Sequence, residues 1–263
     1  MLTACLDDLK IEATTADRGP HYHCPGCRNE VILKRGRIKI AHFAHKPPVE
    51  CDWAKGETIE HMQAKLAFCN ALSRHYSHVE VEKVIPALPQ DRRADVFLLN
   101  GQNEKCVIEI QHTAISLDDI ERRSATYARE NIAQLWVVLI SPKKLMAGEQ
   151  RDRGICIEKY PARPFERWIS GLQYGNMLYF DGERLWKGRL LKNLIDVPES
   201  IWYDEYGQEE TRGGYTKISK RWKNLVLTGS INMNGLRFNL KSRQQTSLDK
   251  YKWPKAKVLN IGN

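Results

Sequence analysis

The chain has 263 residues, of which 42% are hydrophobic and 28% are charged, and its formal net charge is +9. This composition excludes a disordered chain, and the longest strongly apolar run, residues 135–140, is too short to span a membrane. The start MLTACLDDLK lacks the apolar segment of a secretory signal, so we expect a cytoplasmic protein without membrane contact. The basic excess favours a polyanionic partner, most simply nucleic acid, although it also fits a merely soluble basic surface.

Residues 22–51 contain a group of candidate metal ligands: Cys24, Cys27, His42, His45 and Cys51. Zinc takes four nitrogen or sulfur ligands in a tetrahedron, so four of these five suffice, and the sequence leaves open which histidine takes part. The run between the two halves of the group resembles a short hairpin that turns at Arg35-Gly36, as in a zinc ribbon. A redox CxxC pair or independent surface residues are the alternatives, but no thioredoxin-like βαβ context is present.

Residues 56–76 predict a helix that Thr58 can cap, with an apolar stripe at steps of three and four residues. Glu57, His61 and Lys65 lie four residues apart and share a neighbouring face of this helix. Taken alone, such a row is more often a solvated edge of charge pairs than a functional site.

A hairpin follows a strand predicted over residues 80–88, because ADVFLL and KCVIEIQ flank the turn pair Asn100-Gly101. Alternation along each strand places Asp95 on one face, and Glu109 with Gln111 can project to that same face. The other face is apolar. Two carboxylates brought together raise each other's pKa unless a cation is present, and Mg²⁺ prefers such oxygen ligands. Alternatively, the acids are cross-strand partners of Arg93 and other bases on a wet face.

The next segments predict a second helix, from Ser116 to about Asn131, and a buried parallel strand over residues 134–140. The resulting order of helix, three strands, helix and strand predicts a mixed sheet with a helix on either side. Further on, we expect a short helix over 162–172, a hairpin around Asp181-Gly182 and more β-structure. Residues 217–257 hold eleven Lys or Arg and one acid, with interleaved aromatics that either stack on bases or fill a core.

The motifs CPGC, HFAH with the later Cys51, ECDWAKGETIEHMQAK, RRADV and IEIQ together resemble the competence protein CoiA-like family, over roughly residues 20–140. The resemblance implies a restriction-endonuclease-like core of the PD-(D/E)xK class behind a zinc-knuckle segment. On that pattern Asp95 matches the first metal-binding acid and Glu109 the second, and Gln111 stands where lysine is usual. Glu57 and His61 match an acidic-histidine helix motif in which Thr58 replaces a serine.

The predicted fold class is therefore α/β, with a restriction-endonuclease-like mixed sheet flanked by helices. Three domains are expected: a zinc-ribbon-like segment over 1–54, a nuclease-like core over 55–158, and a basic, β-rich module over 159–263. Their predicted tasks are folding support from structural Zn²⁺, catalysis, and either binding to the DNA backbone or placement of the active site on a particular DNA structure. A packing extension that only completes the core is the alternative for the last of them.

The predicted function is a DNA endonuclease dependent on Mg²⁺ or Mn²⁺, serving DNA uptake, recombination or phage defence. The metal is expected at Asp95, Glu109 and the backbone carbonyl of Ile110, with His61 and Gln111 positioning the attacking water. The predicted phosphate contacts are Lys65, Arg93, Lys220, Arg221 and Lys223. A non-catalytic DNA-binding protein on a vestigial nuclease core and an RNA-cleaving enzyme are the alternatives. The oligomeric state is open.

Overall fold

The structure is a computed structural model that describes residues 1–51, 53, 57–152 and 154–261. The domain boundary predicted between residues 54 and 55 lies outside the described residues, as does Gly56, where the first predicted helix was expected to begin. Within the described part of the chain, no helix is both long enough and apolar enough to cross a membrane.

The N-terminal segment forms a separate small antiparallel sheet. Its strands are β1 (Thr3–Leu6), β2 (Leu9–Glu12), β3 (Tyr22–His23), β4 (Glu30–Lys34) and β5 (His42–His45), in the order β2-β1-β3-β4-β5. The expected hairpin is present as β4 and β5, with Val31 opposite His45. Its loop is longer than a turn confined to Arg35-Gly36, because Ile38 also lies in the loop and is 97% exposed. This sheet has its own small core around Tyr22 and Phe43.

The next elements follow the predicted order. They are α1 (Ile59–Leu72), β6 (His78–Ile85), β7 (Arg92–Leu99), β8 (Lys105–Gln111), α2 (Leu117–Arg129) and β9 (Ala133–Leu139). Strands β6, β7 and β8 pair antiparallel, and β9 joins β8 in parallel. Helix α1 has the predicted cap, since the Thr58 side chain accepts a hydrogen bond from the His61 backbone N–H at 3.3 Å.

Apolar side chains on the two faces of the sheet hold these helices. Ala64, Phe68 and Leu72 of α1 pack with the alternating apolar residues of β7 and β8, namely Val96, Leu98, Ile108 and Ile110. Tyr127 of α2 packs with Phe97 and Val107 of the same two strands. These two side chains alternate with those that contact α1, so they lie on the opposite face of the sheet. The helices therefore contact β7 and β8 through opposite sets of side chains, so groups from both helices can reach the point where these strands end.

The remaining chain adds strands to the same sheet. Its elements are α3 (Pro142–Met146), β10 (Glu149–Arg151), β11 (Gly154–Tyr160), α4 (Pro164–Leu172), β12 (Met177–Phe180), β13 (Leu185–Val197), β14 (Ser200–Tyr203), β15 (Glu209–Arg212), β16 (Tyr215–Ile231), a 3-10 turn (Met233–Gly235), β17 (Phe238–Arg243), β18 (Thr246–Leu248), β19 (Tyr251–Trp253) and β20 (Ala256–Ile261). The main path runs β10-β11-β16-β13-β12-β9-β8-β7-β6, and β20 carries β17 and also joins β9.

The fold class is confirmed as mixed α/β, with one large mixed sheet of eleven strands and few helices. The predicted short helix appears as α4, and the hairpin around Asp181-Gly182 appears as β12 and β13. Strands of residues 159–263 extend the core sheet, and the boundary expected at residue 158 falls inside β11. The division into three domains stays a prediction.

Candidate active site

The two acids of the hairpin occupy facing positions where β7 and β8 separate. Backbone pairing runs from Leu99↔Lys105 to Val96↔Ile108, and the next positions in that register are Asp95 and Glu109. Here a side chain replaces the backbone ladder, because the Ile110 N–H donates to Asp95 Oδ2 at 2.8 Å. The two backbone positions are therefore neighbours at the C-terminal end of β8, but their side chains contact different helices, Asp95 with His61 of α1 and Glu109 with Arg123 of α2.

Asp95 is ionised by its surroundings on the α1 side. Its side chain is 10% exposed, and Oδ2 lies 3.1 Å from His61 Nε2 while Oδ1 lies 3.9 Å from Lys65 Nζ. Burial by itself raises the pKa of Asp95, but the charge and hydrogen bond of His61, with Lys65 and the Ile110 N–H, hold that pKa well below its usual range. The group is therefore an anion across the physiological range.

His61 joins Asp95 to Glu57. Its Nε2 faces Asp95, and its Nδ1 lies 3.8 Å from Glu57 Oε1. Burial lowers the pKa of His61, but the charge of Asp95, their hydrogen bond and the charge of Glu57 outweigh it, so the net shift is upward. The imidazolium form is favoured, which makes His61 better suited to donate a proton than to accept one. The expectation that it positions water stays a prediction.

Lys65 is fully buried rather than facing the cleft. Its ammonium donates to Glu57 and to Glu82, both of which are acids on elements packed against it. Burial lowers the pKa of Lys65, but the surrounding acids raise it further than burial lowers it. The group therefore has no surface for the phosphate contact expected from the sequence, and it instead supplies a buried positive charge beside Asp95.

Glu82 was missed by the sequence analysis. It alternates with valines in VEVEKV, so it reads as one more residue on a wet strand face. In the structure Glu82 is fully buried, and its Oε2 accepts from the backbone N–H groups of Leu2 and Thr3 at 2.8 and 3.0 Å. Burial raises its pKa, but Lys65 and Arg93 hold the pKa of Glu82 far below the ordinary glutamate value. This carboxylate fastens the N-terminal sheet to the candidate site.

Glu109 faces the α2 side, away from Asp95's partners. Its side chain is 1% exposed, with Oε2 at 2.6 Å from Arg123 Nη1 and Oε1 accepting from the Tyr127 hydroxyl at 2.5 Å. Burial raises the pKa of Glu109, Arg123 lowers it, the Asp95 charge raises it, and the net shift is upward. Arg123 and Tyr127 were not identified from the sequence. Their spacing of four residues on one helix is the signal that could have found them.

A cleft of about 260 Å³ opens beside these groups. Its walls include Glu57, His61, Asp95, Ile110, Gln111, Arg92, Arg93 and Arg123. Gln111 is half-buried and its amide donates to the Thr113 carbonyl at 2.6 Å. Arg93 lies over the Trp53 ring at 5.8 Å, with its guanidinium 3.9 Å from Glu57. Arg93 and Gln111 are therefore placed at the cleft, as expected, while Glu109 lies behind its wall.

The donors suit Mg²⁺ in kind, since two carboxylates and a backbone carbonyl occur at neighbouring positions of two strands. These donor atoms do not surround one common position in this structure. Among the described residues, the Cys/His group below is the one set of three or more His, Cys, Asp or Glu ligand atoms lying within 4.8 Å of one another. Both oxygens of Glu109 are held by Arg123 and Tyr127, so this acid must exchange a partner before a cation can be shared with Asp95.

The candidate zinc ligands of the N-terminal segment, in contrast, lie close together. Ligand atoms of Cys24, Cys27, His45 and Cys51 all lie within 4.8 Å of one another. Cys24 Sγ and Cys51 Sγ are 3.8 Å apart, which matches the sulfur–sulfur distance of about 3.8 Å in a tetrahedron with Zn–S bonds of about 2.3 Å. Cys27 Sγ lies 3.3 Å from His45 Nε2. The structure thus contains a Cys₃His cluster compatible with zinc.

The structure also distinguishes the two histidines. His45 Nε2 faces the cysteines. His42, in contrast, directs Nδ1 to the Ile40 carbonyl at 2.9 Å and lies outside the cluster. The hairpin explains this outcome, because side chains three residues apart on a strand point to opposite faces.

Lys220, Arg221 and Lys223 lie on β16, at the far side of the sheet. Lys220 and Arg221 are exposed, and Arg221 lies over the Trp222 ring at 4.3 Å. Four strand spacings of about 4.8 Å, roughly 19 Å, separate β16 from β8. Of the interleaved aromatics, Trp253 belongs to the second core with Trp168, so it fills the interior. None of the three basic residues lines the cleft.

Comparison with known proteins matches two successive segments of the chain to two family models. Residues 6–54 match the family "Competence protein CoiA, N-terminal domain", and residues 57–150 match "Competence protein CoiA, nuclease-like domain". The chain is 27% identical over 127 residues to the competence protein CoiA of Bacillus subtilis (strain 168). That match covers 48% of this chain and 33% of the relative. No solved structure matches. The two matched segments contain the Cys₃His cluster and the acids of the cleft, and the chain belongs to the competence protein CoiA-like family.

Proposed function

We propose that this chain is a metal-dependent nuclease that hydrolyses phosphodiester bonds of DNA at the cleft beside Asp95, in the handling of DNA during competence. The observation that supports this best is a buried aspartate whose Oδ2 lies 3.1 Å from His61 Nε2, in a cleft also lined by arginines. The match to a nuclease-like domain supports the same reading. A fold alone would not, since one fold carries many functions.

Each side chain has a proposed task. Asp95, Glu109 and the Ile110 carbonyl are the groups that would hold Mg²⁺ or Mn²⁺, which when bound lowers the pKa of water and neutralises developing charge on phosphate. His61 donates a proton to the leaving oxygen, because Asp95 and Glu57 favour its protonated form. Gln111 orients the attacking water but cannot deprotonate it.

Glu57 and Lys65 act through other groups. Glu57 lies beside His61 and also accepts from Lys65, and Lys65 places a positive charge near Asp95. They keep His61 and Asp95 in one arrangement and are positioning residues. Of the predicted phosphate contacts, Arg93 is the one that lines the cleft, with its guanidinium over the Trp53 ring, and it stays a proposed phosphate contact.

The test is cleavage of single-stranded DNA, duplex DNA, branched DNA and RNA in Mg²⁺ or Mn²⁺, comparing wild type with Asp95→Asn. Metal stabilisation is worth several kcal/mol, so the variant should lose at least about 100-fold in rate. Asp152→Asn, which changes an exposed aspartate in a turn, is the matched control and should cut as wild type does. Unchanged cleavage by Asp95→Asn would refute the site.

Two features favour a second function, DNA binding without cleavage. Both oxygens of Glu109 are occupied by protein groups, and Gln111 replaces a lysine, which is the pattern expected of a vestigial site that only binds DNA. If wild type binds DNA tightly but cuts none of the four substrates with either metal, this reading replaces the nuclease. Cleavage confined to RNA would instead identify an RNA-cleaving enzyme.

We also propose that the Cys₃His cluster holds one structural zinc ion. The thiol of Cys24 is buried, which raises its pKa to about 12, so a bound cation is what would stabilise the thiolate. His45 Nδ1 is buried with no hydrogen-bond partner among the described residues, and its Nε2 is the nitrogen directed at the cluster. Four protein ligands leave no open position, which fits a structural and not a catalytic ion.

A further inference from the structure

Arg92 is a charged side chain at the cleft to which neither the sequence nor the proposed mechanism gives a task. It lies at the start of β7 and lines the cleft. Its Nε is buried, and no acceptor is within hydrogen-bonding distance of that atom in the described part of the chain. A buried donor without an acceptor costs free energy, and it is normally satisfied by water or by a ligand.

The neighbours of Arg92 add positive charge. Burial lowers the pKa of Arg92, and the charges of Arg123 and Arg122 on α2 lower it further. Arg122 is paired with Asp119 on its own helix, and Arg123 with Glu109. Of the three guanidinium groups, that of Arg92 has no acid partner among the residues the structure describes. Glu109 acts on Arg92 in the opposite sense, and Asp91 also lines the cleft, but neither forms an ion pair with Arg92 in the described part of the chain.

Arg123 can serve two anions at once. Glu109 takes one of its nitrogens, Nη1, and a guanidinium has five N–H donors in a planar fork. Its side chain is 37% exposed and also lines the cleft. A guanidinium fork suits the two oxygens of a phosphate, so Arg92 and Arg123, which both line the cleft, can donate to the same bound group.

We propose that Arg92 and Arg123 form a binding site for one backbone phosphate of the nucleic acid, next to the bond that is cut. This inference rests on the proposed function for the identity of the ligand. Arg93 is not part of this site, because its guanidinium faces Glu57 and the Trp53 ring. Arg123 links the site to Glu109, so a phosphate that takes up its free donors competes with Glu109 for the same positive charge.

The experiment measures binding without added Mg²⁺ or Mn²⁺, so that no cleavage occurs, and without a chelator, so that the proposed zinc stays in place. Anisotropy of a fluorescein-labelled DNA duplex, a single strand and an RNA is titrated with wild type and with Arg92→Gln, Arg123→Gln and Arg123→Lys. Arg92→Gln should bind at least about tenfold more weakly, because a charge-assisted contact is lost. Its slope of log affinity against log salt should fall by about 0.9 on a duplex or about 0.7 on a single strand.

Arg122→Gln is the matched control, since it removes the same charge from the neighbouring position of α2 without lining the cleft. It should change affinity by less than about threefold. Arg123→Gln also deprives buried Glu109 of its partner, so Arg123→Lys keeps a positive charge there and separates folding from binding. Arg123→Lys should stay folded and bind more weakly than wild type, because a point charge replaces the fork.

The outcomes separate this site from the catalytic proposal. Equal losses for Arg122→Gln and Arg92→Gln, wild-type affinity for Arg92→Gln, or a wild type that binds neither DNA nor RNA would overturn the phosphate site. An Arg92-dependent affinity with no cleavage of any substrate would support the phosphate site while refuting hydrolysis. Cleavage that depends on Asp95 but not on Arg92 or Arg123 would leave hydrolysis in place and remove this site.

Discussion

The charged side chains beside the cleft and those of the long hairpin formed by β13 and β16 are held in opposite ways. Beside the cleft, Lys65 and Glu82 have no exposed side-chain surface and bind each other, while Glu109 binds Arg123. On the hairpin, Lys220 and Arg221 are exposed. Charged residues of the same types therefore have different roles in the two regions. The buried pairs fix the geometry of the site, whereas the exposed charges can bind a polyanion.

The charge of this hairpin differs between its two ends. Residues 196–212, which include β14 and β15 at its far end, contain six acids and one base. They also expose aromatic side chains, with Trp202 53% and Tyr206 82% exposed. Residues 217–223 contain four bases and no acid. Only the part near the sheet therefore has the charge expected of a surface that binds a phosphate backbone.

The largest effect should come from breaking the buried pair. Lys65→Met leaves Glu82 and Glu57 without their shared cation, so the free energy of unfolding should fall by about 3–5 kcal/mol. Lys220→Met, the same change on an exposed strand position, should alter it by less than about 0.5 kcal/mol. Urea denaturation followed by tryptophan fluorescence measures both. Similar values for the two variants would remove the distinction between the regions.

The next effect concerns the N-terminal sheet. Elemental analysis should find about one zinc per chain, and Cys24→Ser combined with Cys27→Ser should abolish it. His45→Ala should lose zinc, and His42→Ala, its matched control, should retain it, because only His45 reaches the cysteines. Hydrogen exchange should show the N-terminal sheet opening in the cysteine variant. Zinc-free wild type with a protected N-terminal sheet would refute the metal proposal alone.

Local patterns explain why parts of the fold were predictable. The cap at Thr58, the turn after Leu99 and the alternation of Val96, Leu98 and Ile108 are each encoded within a few residues. They gave the order of the core elements and placed Asp95 opposite Glu109. The C-terminal strands were also expected, but their sheet partners were not, because pairing between β12 and β9 depends on contacts between distant segments.

The interaction partners of the site residues could not be predicted from such local patterns. Glu82 contacts residues 79 and 80 positions earlier in the chain, and nothing in VEVEKV distinguishes it from a wet strand residue. Lys65 was expected at the surface because lysine is seldom fully buried, yet three acids surround it. The sequence thus indicated which residues bear charge, while burial and pairing decided what each charge does.

Acid should affect the two regions differently. The folded-state pKa of Glu82 is depressed, so its contribution to stability is present above the unfolded glutamate pKa, about 4.5, and is lost as pH falls below it. Wild type should therefore lose stability on acidification below about pH 5, and Glu82→Gln, which starts less stable, should lose less. Glu205→Gln on the exposed hairpin should follow the wild-type curve in thermal unfolding. Parallel curves for wild type and Glu82→Gln would contradict the buried pair.

The smallest effect should come from the exposed bases. Lys220→Gln with Arg221→Gln removes two charges that face solvent, so unfolding should hardly change. If β16 meets the phosphate backbone, affinity for a DNA duplex should fall a few-fold and the salt slope by about two, since each lost contact retains one more counterion. Anisotropy at several salt concentrations measures both. Glu209→Gln with Glu210→Gln, at the acidic end of the same hairpin, is the opposite control and should not weaken binding. Because β16 lies about four strands from the cleft, an unchanged slope in the basic variant would confine nucleic-acid contact to the cleft side of the sheet.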